Sequence, residues 1–220
     1  APSMQRTLLF AAAALAATTL AACGGNDQGG VASQDNDAVN VAQDVAGAAT
    51  GIGTAAVGAV STDAYIRDAA MGDMYEIQAA QIALERSKNP EVRNAAQMII
   101  ADHTKSSNEL KQLISSGQVQ GTLPTMLDER RQGMLDNLRG ADADDFDQRF
   151  LDQQTMAHHE ALLLHKGYAE AGSVEPLKQF AAQTAPVIQH HVDMVAALDR
   201  GGAGDGTRTA GVDPGEKAPG

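Results

Sequence analysis

Between residues 62 and 200, apolar and small side chains recur every three to four positions in four long stretches, the period of helices that each bury one face. The second stretch is the sharpest. Asn89 offers an oxygen to cap a helix start, Pro90 suits the first helical position because the N–H it lacks would be unpaired there anyway, and Gly117 closes the far end. Its seam runs Val92, Ala96, Ile99, His103, Ser106, Leu110 and Leu113, all on one side of a helix. The first helix is expected over residues 62–86 with Ile66, Ala70, Met74, Ile77 and Leu84 inward. The third is expected from 144 to 171, with a stripe of Leu151, Gln154, His158, Leu162, His165 and Ala169 and a stop at Gly172. The fourth follows Ser173 and runs to 200 along Leu177, Phe180, Thr184, Val187, His191, Val195 and Leu198, with a local kink at Pro186. A shorter helix over 125–138 fills the connection between the second and third. No stretch alternates with the period of a strand. The pattern therefore predicts an all-α fold, a four-helix bundle with a short extra helix in the helix 2 to helix 3 connection, occupying residues 62–200.

The flanks read differently. Residues 24–61 are rich in Gly, Ala, Asn, Asp and Gln, and the uncharged stretch from Val45 to Val60 is broken by Gly47, Gly51, Gly53 and Gly58, which predicts a flexible spacer. That stretch is too short and too rich in glycine for a membrane span, which needs roughly 20 predominantly apolar residues. Its Gly51-Ile52-Gly53-Thr54-Ala55-Ala56 matches a dinucleotide-binding fingerprint in form only, because no strand precedes it. The tail from 201 to 220, dominated by glycine with almost nothing apolar, reads as disordered.

The N-terminus carries a short basic start at Met4-Gln5-Arg6, an apolar run from Leu8 to Leu20, and then Leu20-Ala21-Ala22-Cys23-Gly24. This is the layout of an export signal over residues 1–22. The Leu-Ala-Ala-Cys quartet resembles the lipobox at which lipoprotein signal peptidase cuts, which implies acylation of Cys23 and a tether to the membrane; two or more acyl chains anchor durably where one does not. Gly24 after the cysteine resembles the default sorting to the outer membrane, so the expected location is the cell envelope, lipid-anchored and facing the periplasm. Cys23 is the sole cysteine, so the exported domain has neither a disulfide framework nor a thiolate site.

Composition narrows the partners. With 43% hydrophobic but 3% aromatic residues, the core is built from Ala, Leu, Ile, Val and Met, which suits packed helices. A formal net charge of -12 argues against nucleic acid, whose binding rests on clustered Lys and Arg.

All six histidines fall in the predicted helices, and His103, His158 and His191 interrupt otherwise small or apolar seams. Antiparallel helices share a level at their midpoints. His103 and His158 sit at that level, His191 about 7.5 Å from it at a rise of 1.5 Å per residue, and Glu76 near the middle of the first helix. Three imidazoles and a carboxylate, one from each helix, thus converge as candidate ligands for zinc, copper, nickel or iron. Asp102 points about 100° away from His103 and is assigned to the second shell or the surface. His165 lies about 10 Å along the helix from His158, too far for the same site, and His159 and His190 point off their seams. The alternative is a hydrogen-bonded histidine layer in a structural or interaction protein. No helix carries Glu-x-x-His, which disfavours a di-iron carboxylate bundle. No Gly-x-Ser-x-Gly elbow or phosphate loop supports hydrolysis.

Glu76, the run Met98-Ile99-Ile100-Ala101-Asp102-His103-Thr104 with Glu109-Leu110, Phe146-Asp147-Gln148-Arg149-Phe150-Leu151, Ala157-His158 followed by Glu160-Ala161-Leu162, and Pro186-Val187-Ile188-Gln189-His190-His191 together resemble the bacterial family called domain of unknown function 4142. The resemblance covers residues 62–198. It implies a ferritin-like helical bundle in an exported protein, often labelled an outer-membrane protein, with family histidines at His103, His158 and His191. It implies no reaction.

Overall fold

Side-chain caps fix where three of the helices begin. Ser61 Oγ accepts from the N–H of Ala64, Asn89 Oδ1 from Glu91 and Asp128 Oδ1 from Arg131, each satisfying a donor that the first turn leaves unpaired. In the computed structural model, which describes residues 32–202, the chain forms α1 (Ala32–Gly58), α2 (Thr62–Arg86), α3 (Pro90–Ser115), α4 (Glu129–Gly140), α5 (Phe146–Ala171) and α6 (Glu175–Gly202). There is no strand among the described residues, and no helix there is long and apolar enough to cross a membrane. The signal segment, Cys23 and the tail beyond residue 202 lie outside the described residues.

The four expected long helices are α2, α3, α5 and α6. Connections at 87–89 and 172–174 fold α2 onto α3 and α5 onto α6, and α2·α5 and α3·α6 contacts close the bundle. The short helix lies in the expected connection but starts at Glu129, because the Asp128 side chain captures the helix start there. α6 passes through Pro186 as one helix. The α3 seam is buried as read, except that Leu113 is partly exposed.

The first difference of substance is α1. Residues 32–58, expected as a flexible spacer, form a helix that packs on α2, α4 and α5. Asp44, Gly47, Gly51, Ala55 and Gly58 recur at helical spacing and are all buried. The glycines on this face permit close approach: a Cβ at Gly51 would fall 1.9 Å from Glu160 Oε2, and one at Gly58 2.4 Å from Leu164 Cδ1. Asp44 locks the register by accepting from Asn137 Nδ2 at 2.9 Å and Gln153 Nε2 at 2.8 Å. The dinucleotide-like match sits within this helix, with no sheet beside it. The outward side of α1 stays apolar, with Val45, Ile52 and Val57 about half exposed.

The core is divided. One apolar cluster, including Tyr75, Ala79, Val92, Ile99, Leu135, Phe146 and Phe150, fills one end of the bundle. A second, including Tyr65, Ile66, Leu110, Leu164, Tyr168, Leu177 and Phe180, fills the other. Along the helices between them, Asp73, Glu76, His103, Ser106, Gln154, His158, Thr184 and His191 form a buried polar layer.

Docking of the segment before α2 is testable through glycines. A Cβ on Gly167 of α5 would fall 2.5 Å from Ala59 Cβ, which has no rotamer with which to move aside, whereas one on Gly53 meets nothing within 4 Å. Gly167→Ala is expected to lower stability by about 1 kcal/mol or more, since overpacking at about 1–3 kcal/mol outweighs the gain in helix propensity. Gly53→Ala should raise it by about 0.5–1 kcal/mol. Urea unfolding of both variants checks this; a loose spacer would make both substitutions stabilising.

Candidate metal centre

His103 projects from α3, His158 from α5 and His191 from α6, each at a seam position that the helical period turns inward. One ring nitrogen from each lies within 4.8 Å of those of the other two. Ring centroids are 5.0 Å apart for His158 and His191, 5.5 Å for His103 and His191, and 5.6 Å for His103 and His158. His191 thus joins the layer, closer than its sequence position suggested. α6 runs from Glu175 to Gly202, which carries its midpoint toward His191.

Each imidazole is held at its other nitrogen by an acceptor. His158 Nδ1 donates to the Gln154 carbonyl at 2.9 Å, His103 Nδ1 to Asp73 Oδ1 at 2.8 Å, and His191 Nε2 to Asp102 Oδ2 at 2.9 Å. A backbone carbonyl only accepts, and an ionised carboxylate only accepts, so these bonds select the tautomer of each neutral ring. The lone pairs then sit on His158 Nε2 and His191 Nδ1, which face each other at 3.1 Å, and on His103 Nε2, which has no hydrogen-bond partner. Lone pairs directed at one another repel unless a proton or a metal cation lies among them. Acceptors that hold the far nitrogen are the usual support of a metal-bound histidine.

Electrostatics favour neutral rings at two of the three positions. Burial, reinforced by charge on His103 and on the other ring of the pair, pushes His158 well below the ordinary histidine value. Burial and His103 likewise lower His191, against the pull of Asp102. At His103 burial also opposes charging, but the Asp73 hydrogen bond and the negative charges of Asp73, Glu76 and Asp102 outweigh it and hold the ring above its usual value.

Glu76, expected as the fourth ligand, is placed differently. Its Oε1 approaches His158 at Nδ1, 3.9 Å away, the nitrogen already bound to Gln154, and it is not among the residues grouped within 4.8 Å. It is 2% exposed, and burial raises it to about 7 against the opposing pull of His103 and a hydrogen bond with the Gln154 amide. Ser106 Oγ and His103 Nε2 are buried and unpartnered. Native interiors leave few such groups, so their concentration around three imidazoles marks a place built for something more than packing.

Asp102, assigned from sequence to the second shell or the surface, is half-exposed and orients His191 from the neighbouring helix. His165 lies apart, bonded through Nδ1 to Tyr65 Oη at 2.9 Å, and His159 and His190 are exposed. Asp73 was missed. It lies one turn before Glu76, and the signal that finds it is the need of each ligand histidine for an acceptor at its second nitrogen.

The family described as "Domain of unknown function (DUF4142)" matches residues 47–198. The chain belongs to that family. The match begins inside α1, so the DUF4142 unit includes the C-terminal part of the helix that sequence had assigned to a spacer. Its all-α bundle is consistent with a ferritin-like fold. No curated protein and no solved structure matches the chain.

His165 offers a clean pH test because burial lowers it from 6.5 to about 4. The unfolded chain binds a proton near the upper value and the folded chain only near the lower one, so this histidine removes stability as pH falls through that window. In the metal-free protein, the stability lost between pH 7 and 4.5 is expected to be smaller in His165→Gln than in the parent by on the order of 2 kcal/mol. Urea midpoints at the two pH values measure it, and equal losses would contradict a neutral buried ring.

Proposed function

We propose that this protein is a lipid-anchored cell-envelope protein whose bundle binds one transition-metal ion through His103 Nε2, His158 Nε2 and His191 Nδ1. The facing nitrogens of His158 and His191 carry the reading: with Gln154 and Asp102 fixing their far sides, the 3.1 Å approach becomes favourable when a cation lies between them. Three neutral imidazoles are borderline donors, suited to zinc, copper, nickel or iron. Asp73, Asp102 and Glu76 around them offset the charge of the ion without joining the nitrogen set. Storage, sensing and protection against metal stress are the roles such a centre serves in an envelope protein.

The competing reading, a purely hydrogen-bonded histidine layer, requires His158 and His191 to share a proton at Nε2 and Nδ1. That asks a proton to reside on rings that burial holds below their ordinary values. For the anchor, support comes from Leu20-Ala21-Ala22-Cys23, and only eight residues separate Cys23 from the start of α1.

Elemental analysis of the protein purified from a periplasm without chelators should give about one transition-metal ion per chain. His103→Ala combined with His158→Ala should abolish it, and Asp73→Asn should weaken metal affinity by about 10–100-fold. Metal that stays stoichiometric in the double variant would overturn the assignment. For the anchor, labelled palmitate should be incorporated by the full chain and not by Cys23→Ser; equal labelling of both would dismiss Cys23 as the acylated residue.

A further inference from the structure

Three nitrogens fall short of the four or more ligands that zinc, nickel and iron usually take. Among the described residues, no fourth His, Cys, Asp or Glu joins the set within 4.8 Å. Closed structural zinc sites use four protein ligands, whereas sites that act on a ligand use three and leave a position for water or substrate. A set of three nitrogens matches the second kind.

A cleft leads to it. Between α3 and α6 a hollow of about 80 Å³ is lined by Asp102, His103, Ser106, Thr184 and Ile188 among others, so it reaches a candidate ligand. At roughly 10–15 Å³ for each water-sized occupant, it holds several. Two of the residues that line it, His103 and Ser106, lie one helical turn apart on α3, are at least nine-tenths buried, and each holds a polar atom with no hydrogen-bond partner, Nε2 and Oγ. Thr184 gives no competing bond to Ser106, because its hydroxyl donates to the Phe180 carbonyl at 2.9 Å. A buried hydroxyl with a free donor beside an incomplete metal centre is suited to a small ligand bound to the metal, to which it donates a hydrogen bond.

We infer that the centre is an open one, in which a small exchangeable oxygen or nitrogen donor, water or a small anion, enters through the α3–α6 cleft, binds the metal, and is held by the Ser106 hydroxyl. This rests on the metal-site reading above and deepens it: the protein handles a small ligand at its metal instead of using the ion as a staple.

The test uses cobalt(II) as the reporter ion and azide as the ligand, on the full chain held in detergent. Cobalt d–d absorption reports binding of the ion, and its change on azide titration reports the open position. Expected are a saturable azide response in the parent, about tenfold weaker azide binding in Ser106→Ala with cobalt affinity unchanged, and loss of the azide response in Ser106→Leu, whose side chain fills the cleft. A cobalt spectrum indifferent to azide would show a closed site and overturn this inference while leaving the metal reading standing. Azide binding unaffected by both Ser106 variants would overturn the assigned cleft and the role of the hydroxyl. No cobalt bound by the parent would overturn the metal reading itself, and this inference with it.

Discussion

Two imidazole nitrogens 3.1 Å apart in the middle of a helical bundle, each with its far side committed to an acceptor, are the constraint on which the rest of the structure turns. Buried polar groups without partners cost about 1–3 kcal/mol each, and here His103 Nε2 and Ser106 Oγ stand without one. A bundle selected for stability alone would fill this level with Leu and Ala, as it does above and below. A cation at the three nitrogens changes the balance, because binding to the folded state alone stabilises it by mass action. The cost of the layer is carried by the two apolar clusters on either side of it.

The architecture serves that layer in identifiable ways. Short connections hold α2 against α3 and α5 against α6, so histidines from three helices reach one level while the fourth, α2, supplies Asp73 and Glu76. α1 seals the outside of α2 and α5 through a face of small residues. Its Asp44 binds Gln153, which in turn accepts from Tyr75 Oη at 2.9 Å, a chain of hydrogen bonds running from the covering helix into the core beside Glu76. Arg130 and Arg131 of α4 both donate to Glu160 Oε1 at 2.8 Å, tying the short helix to α5 two residues from His158.

Much of this was legible in the sequence, and the failures have specific causes. The α3 seam was readable because polar caps and a terminal glycine framed an unbroken helical period, which placed His103 and Ser106 together. The α2 seam was read too far round the helix: Met74 and Ile77 are only partly buried, while Asp73 and Glu76 point inward. Hydrophobicity misleads where a helix turns its carboxylates toward a site. In α1 the glycines suggested flexibility, yet at helical spacing they form a contact face, and the difference lies in a partner helix that one segment cannot reveal. The level of His191 depended on helix ends, where a shift of two residues moves a side chain by about 3 Å. Glu76 was placed correctly in depth but not in direction, since its approach to the Nδ1 side of His158 depends on rotamers that spacing does not encode.

X-ray absorption on the zinc-loaded protein tests the central claim most directly. Expected is a shell dominated by nitrogen at about 2.0–2.1 Å, with the outer-ring scattering of three imidazoles and room for one further light ligand. An all-oxygen shell, or imidazole scattering from fewer than two rings, would place the ion elsewhere and contradict a centre built from His103, His158 and His191.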